Sequence, residues 1–487
     1  MPPISPNLAD ASPTFEAPGP AAPFVYDIRP SAMRQRVVNY AAKRLVDMAF
    51  VTGLPPQQAL QHFRRKPVDA PGTLSETADI PAHAAEVEAA WTSSAIRAEF
   101  DAADRRVTVK WQGDGFTVTG SAFARPSYGG ILLGPHATAR FDPAPLDRPA
   151  ARHAPWPLGN DFAVAAPVLG READAFFASS PGLYGVLVAT PERVLFERYS
   201  AHGGPDRPTP SWSMTKAITA TLIGRVLQMG WLRSVHDPAP APLWTDHRDA
   251  RRLITLDHLL RMRSGLGYPT FDGERSGLGF ENSFVYHDAE DAFETAQRAI
   301  VITTPGSTYR YINSGLNVLG AIIRDQIERR GLPYHRTVYS LLADPIGMTT
   351  YQHSADIAGN LIASGSGFAV LRDYARLGLL YIQDGVWAGE RLLPPGWVEY
   401  ALTPSHTGTP YAACFRSNAD GTFPSLPRNT AWAAGASEQR VIILREQHLV
   451  IAVANETDHP IDLPALDRFA ASAVALAERP ALRSVGD

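Results

Sequence analysis

The chain is almost without cysteine: Cys414 stands alone among 487 residues. That excludes an internal disulfide and a cysteine-only zinc site, and it fits a reducing compartment. Lysine is scarce too, at Lys43, Lys66, Lys110 and Lys216 only. No run of about 18 apolar residues is present, the length that a bilayer-spanning helix needs. The formal net charge of −4 is small for this length. No basic stripe stands ready to attract a nucleic-acid backbone or an anionic membrane, so neither partner is expected. H-E-x-x-H and paired-cysteine motifs are missing, which leaves no metal site to propose, and no cofactor is implied. The first two dozen residues have neither the basic start nor the apolar middle of a secretory signal. They are read as a disordered Pro/Ala-rich tail over 1–25, and the location as cytoplasmic, with periplasm or secretion left open.

What is present describes a folded globular protein, with 45% hydrophobic and 19% charged residues. The length implies one large catalytic domain and something smaller. Apolar residues at three- and four-residue steps predict a helix over 28–52, with Met33, Val37, Tyr40 and Leu45 on its face. Short alternating segments at 96–100, 107–111 and 116–121 predict strands, so residues 26–142 are read as a small α+β region. A proline-dense passage, 143–157, reads as a linker. From 158 to 487 the order is a helix (171–178), two strands (184–189 and 194–198), a mostly helical middle (about 225–400), two more strands (440–444 and 449–455) and a last helix (464–478). Strands from both ends of a domain imply an antiparallel sheet flanked by helices with an all-helical insertion, an α+β fold.

Chemistry concentrates in two segments. Ser211-Trp212-Ser213-Met214-Thr215-Lys216 opens a helix with Ile218, Leu222, Val226 and Met229 on one face. Ser213 and Lys216, three apart, then lie side by side. A serine hydroxyl needs help to act as a nucleophile, and a lysine in an apolar helix can supply it by losing its proton or by orienting the attack. A bare S-x-x-K also arises by chance, and its bland reading is a surface lysine. Against that reading, Lys216 is the lone charge in its part of the helix. The second segment is Tyr311-Ile312-Asn313, in a turn before a helix starting near Gly315. A tyrosine beside the lysine is expected to have its pKa lowered by the cation and to carry protons. Asn313 can donate to a substrate carbonyl. The bland reading of Tyr-x-Asn is a turn with a buried ring.

S-x-x-K, then Y-x-N, then a glycine-containing strand near the C-terminus resembles the serine β-lactamases, D-alanyl-D-alanine peptidases and their esterase and amidase relatives. The connecting text is similar as well: 254–266, Pro345-Ile346-Gly347-Met348 and 372–378. The likeness covers about 160–478 and is nearest to the branch holding class C β-lactamases, EstB-type esterases and nylon-oligomer (6-aminohexanoate-dimer) hydrolases. It implies an acyl-enzyme on Ser213, proton handling by Lys216 and Tyr311, and an oxyanion hole of the Ser213 and Ala436 backbone N–H groups. The sequence departs at the third motif. Where relatives carry Lys-Thr-Gly or a histidine variant, Ala433-Ala434-Gly435 stands here, so the glycine survives and the carboxylate-gripping cation does not.

The reading is therefore a serine hydrolase of small ester or linear amide substrates. A β-lactamase or D-alanyl-D-alanine peptidase is the alternative, and an inert binding protein on the same fold the alternative of another class. Tyr286 and Trp432, near the motifs, are singled out as acyl-pocket residues with Gly435. Tyr268, Phe271, Phe280 and Phe284 are read as ordinary core or loop aromatics, and Cys414 as inert strand packing. A Ser-His-Asp triad through His247, His258 or His287 is disfavoured because no G-x-S-x-G elbow occurs. The oligomeric state is left open, a homodimer being one option.

Overall fold

The computed structural model describes residues 27, 29–64, 84–162, 169–268, 285–288, 290–405, 409–455 and 460–478. The segments 1–25, with the expected tail, and 269–284, with Phe271, Phe280 and Phe284, lie outside them.

The largest sheet has six antiparallel strands in the order Arg416–Ser417, Ala431–Gly435, Gln439–Leu444, Leu449–Asn455, Leu183–Ala189, Val194–Tyr199. The chain ends of this region thus meet in mid-sheet, where Leu449–Asn455 pairs with Leu183–Ala189. Leu449–Asn455 is buried at every position because both sheet faces are covered. Its Leu449, Ile451 and Val453 point to one core with helices Gly170–Ser179 and Leu463–Ala477, where Phe176 stacks on Phe469. Val450, Ala452 and Ala454 point to a second core with helices Thr215–Gln228 and Leu371–Ile382. A strand covered on both sides loses the polar alternation of a half-exposed one and becomes a continuous apolar run.

Between the two sheet segments lie helices Leu256–Leu260, Ala292–Gln297, Ser314–Glu328 and Tyr334–Leu341. Helix Thr215–Gln228 departs from the one-faced helix expected. It is buried almost all round, and Met229, expected on the apolar stripe, is 40% exposed at its end. Neighbours close on its other faces: Thr219 Oγ1 donates to the Ala363 carbonyl at 2.6 Å, and Gly224 lies against the Trp397 indole.

The N-terminal region is a four-stranded antiparallel meander, Ile96–Asp101, Arg106–Gly113, Phe116–Arg125 and Gly129–Gly134. Helix Pro30–Val46, extended by a π turn to Val51, packs across it. This helix is buried on nearly all sides because its outer face docks on the larger region. There Arg36 pairs with Asp288 at 2.8 Å, and Asn39 Nδ2 donates to the His287 carbonyl at 2.7 Å. The proline-dense passage 143–157 also lies against the larger region. Arg148 binds Asp344 at 2.9 Å, and Trp156 Nε1 donates to the Thr190 carbonyl at 2.9 Å. Among the described residues no helix is long and apolar enough to cross a membrane.

Candidate active site

Ser213 lies in a 3-10 turn, Trp212–Met214, that runs directly into helix Thr215–Gln228. The approach is tied down. Strand Thr209–Pro210 pairs with Gly367–Ala369, and Ser211 N donates to the Gly367 carbonyl at 2.8 Å. Ser211 Oγ meets Thr215 Oγ1 at 2.6 Å. Trp212 is held at φ 45, a left-handed conformation that a non-glycine residue adopts only where its surroundings over-determine it. The result is a hydroxyl presented at the first turn of a buried helix, where the helix dipole favours developing negative charge.

Lys216 is buried, and its Nζ donates to Ser213 Oγ at 3.0 Å and to the Ser364 carbonyl at 2.7 Å. Tyr311 comes from the loop before helix Ser314–Glu328; its ring centroid is 5.0 Å from Lys216 Nζ and its hydroxyl lies beside the Ser213 side chain. The ring is braced edge-on by Tyr411 at 5.9 Å. The three groups expected to converge therefore do meet. The expected lowering of the tyrosine pKa does not occur: burial pushes the Tyr311 phenol up to about 12, outweighing the nearby Ser213 hydroxyl, which favours ionisation.

Ser213, Tyr311, Asn313, Tyr286 and Ala436 line one cleft. Asn313 is buried at the start of helix Ser314–Glu328. The Tyr286 hydroxyl meets Ser364 Oγ at 2.7 Å, which links it to the residue whose carbonyl holds Lys216. Gly435 is not on the cleft wall. A Cβ there would stand 2.2 Å from the Ser211 carbonyl oxygen, so the glycine lets the strand touch the segment that carries Ser213. Ala436 begins a tight turn in which Ser437 and Glu438 have φ of 59 and 64.

Trp432 is misplaced by the sequence reading. Its side chain points to the opposite sheet face, 2% exposed and 5.2 Å from the Phe423 ring, in the core under the terminal helices. Alternation decides this: Ala431 and Ala433 take the face toward Ser213, so the residue between them cannot. Cys414 is buried but lies in a turn at φ 66 rather than in a strand, its Sγ donating to the Leu260 carbonyl. His258 serves a capping box with Thr255, and Tyr268 bonds Ser314 at 2.6 Å in the core.

Reasoning from the sequence missed one whole wall of the cleft. Tyr40, Lys43, Arg44 and Asp47, on helix Pro30–Val46 and the π turn after it, line it together with Leu132. The adjacent cations Lys43 and Arg44, within the otherwise apolar stretch from Tyr40 to Val46, were the available signal. Also missed was Asp356, a buried carboxyl in the same cleft. Burial raises it to about 7 despite hydrogen bonds from Ala292 N, Asn360 N and Asn360 Nδ2, each at 2.8 Å. His287, facing the cleft, is pushed down to about 3 by burial and then by nearby Lys43, Arg44 and Arg36.

Comparison with known proteins agrees with this architecture. The Beta-lactamase family model matches residues 170–475. Esterase EstB of Burkholderia gladioli is 30% identical over 147 residues, 28% of this chain and 36% of the esterase, so the chain matches only about a third of that relative's length. A Bacillus anthracis protein described as a 6-aminohexanoate-dimer hydrolase superposes with a TM-score of 0.53 at 18% identity, over 65% of this chain and 83% of that one. A penicillin-binding-protein homologue from Caulobacter crescentus gives 0.51 at 18% identity, over 64% and 99%. At such identities the solved structures speak to the fold.

Proposed function

Because the chain belongs to the beta-lactamase family, we propose that it is a serine hydrolase, cleaving an ester or linear amide through an acyl-enzyme on Ser213. The observation that carries this reading is the 3.0 Å contact from Lys216 Nζ to Ser213 Oγ, with the Tyr311 hydroxyl on the same side chain.

In this reading Ser213 Oγ attacks the carbonyl carbon. Its proton enters the Lys216–Tyr311 pair and is returned to the leaving oxygen or nitrogen as that bond breaks. Water then attacks the acyl-enzyme and gives its proton to the same pair, which reprotonates Ser213 as the acid departs. A phenol held at about 12 begins the cycle protonated, so Tyr311 is a relay rather than a resting phenolate, and the serine proton is taken up by the Lys216 nitrogen, which this step requires as the neutral amine. The Ser213 and Ala436 backbone N–H groups are assigned to the oxyanion, while Asn313 and Tyr286 are assigned to substrate contact. Ala433-Ala434-Gly435 brings no cation to the strand, which favours esters and linear amides over β-lactams.

The test is intact mass after reaction with a fluorophosphonate, wild type against Ser213→Ala. One adduct is expected in the wild type and none in the variant; labelling that persists in the variant removes Ser213 as nucleophile. Tyr311→Phe is expected to lower kcat by about 10² to 10⁴. Since its ionisation lies near 12, tyrosine should cause no alkaline loss of rate between about pH 8 and 10. A panel of p-nitrophenyl esters and linear anilides ranks the substrates, and rapid nitrocefin turnover would move the reading to a β-lactamase.

A further inference from the structure

Three buried nitrogen atoms on the cleft wall, Arg44 Nε, Trp212 Nε1 and His287 Nδ1, have no hydrogen-bond partner among the described residues, and one carboxylate oxygen there, Asp47 Oδ1, has none either. Leaving such an atom unsatisfied is costly, so its presence calls for an explanation. Two of the three can only donate. They are also neighbours, because the Arg44 guanidinium lies 4.6 Å from the centroid of the Trp212 ring. Trp212 directly precedes Ser213 in the chain.

Arg44 differs from the other cations around it. Lys43 is held by Asp47 at 2.5 Å and Ser354 Oγ at 3.1 Å, and Arg36 by Asp288 at 2.8 Å. Arg207, which shares a smaller depression with Arg44, donates to the Thr52 and His202 carbonyls. Arg44 is only 7% exposed, yet none of its N–H groups finds an acceptor among the described residues. Of the carboxylates on the wall, Asp47 is paired with Lys43 through Oδ2 and Asp356 accepts from Ala292 and Asn360, and neither is bonded to Arg44. Among the described residues the cleft therefore presents, in Arg44, a guanidinium with no hydrogen-bonded acceptor, able to receive one carboxylate.

We infer that Arg44 seats a carboxylate of the substrate, so that the preferred substrate is an ester or amide carrying an acidic group that reaches the Trp212 side of Ser213. This rests on the serine hydrolase reading of the cleft. A planar guanidinium matches a carboxylate fork, and a buried cation grips it more strongly than an exposed one would. The strand Ala431–Gly435 carries no cation; Arg44 presents one from a different wall of the cleft, on a helix outside the matched family segment.

The test compares mono-p-nitrophenyl adipate with its methyl ester, which is neutral and nearly the same length. The wild type should prefer the acid by tenfold or more in kcat/KM, and Arg44→Gln should cut that ratio at least tenfold, with Arg44→Lys retaining part of it. A ratio read within each variant cancels general damage to the site. Wild type without preference, or an unchanged ratio in Arg44→Gln, overturns the proposal. Calorimetric titration of adipate into Ser213→Ala separates this inference from the catalytic reading, since it needs no turnover. Adipate binding that dimethyl adipate does not match supports the seat even if Ser213 proves not to be the nucleophile or Arg44→Gln does not fold; equal or absent binding of both overturns it.

Discussion

Lys43 and Ser354 meet at 3.1 Å although 311 residues separate them along the chain. The ammonium also holds Asp47 at 2.5 Å, so an ion pair on the N-terminal helix is fastened to the region that carries Ser213. The N-terminal region is thereby a wall of the cleft rather than an appendage. Burial alone would drive Lys43 toward its neutral form, and its pKa is lowered for that reason, with Asp47 opposing the shift. Removing one partner leaves the other charge uncompensated. Lys43→Ala is accordingly expected to destabilise the protein by about 3–5 kcal/mol, read as a fall in the urea midpoint.

The glycine at the end of the strand beside Ser213 has a steric duty. Gly435→Ala would set a methyl 2.2 Å from the Ser211 carbonyl oxygen and 3.1 Å from Trp212 Cβ. Backbone must move, and the segment that moves presents Ser213. A stability loss of about 1–3 kcal/mol is expected, with kcat/KM for a p-nitrophenyl ester lower by about 10²-fold. Unaltered turnover would show that the strand can retreat without disturbing Ser213.

Trp432 separates the sequence reading from the structure. As a pocket residue its loss would raise KM. As a core residue under the terminal helices its loss leaves a cavity. Trp432→Ala is expected to cost about 3–5 kcal/mol in stability and to change KM little at a temperature where the variant is still folded.

Asp356 sets a pH dependence of unusual sign for a carboxylate. Its folded-state value, about 7, lies above the ordinary aspartate value of 3.8, so the folded state holds the proton more tightly. This contribution is full below about pH 4, declines as the pH rises toward 7, and is gone above it. His287, depressed to about 3, works oppositely, adding stability as the pH rises toward 6.5. The measurement that isolates the carboxyl is the difference in melting temperature between wild type and Asp356→Asn. That difference should shift against the wild type between about pH 4 and 7; a constant offset would refute the assignment.

Much of the site was legible because its signals are local. S-x-x-K on a helix places two side chains together whatever the remainder of the fold does, and apolar runs such as Leu449–Asn455 announce a strand covered on both faces. Other features could not be read in this way. Which face Trp432 takes depends on the register of its strand against Ser213, a relation between segments more than two hundred residues apart. The rise of the Tyr311 pKa is a property of burial, which no single segment reveals.

The amino-acid order alone thus determined the segment proposed to carry the nucleophile, the helix that follows it, and the order of strands and helices from 158 onward, since each follows from periodicity and spacing within a few turns of chain. Tertiary structure decided that Arg36, Asn39, Lys43 and Arg44 face the larger region. A helix apolar enough to pack on its own sheet gives no sign that its remaining face will close a cleft. Long-range docking sets that, and with it the charge the cleft presents to substrate.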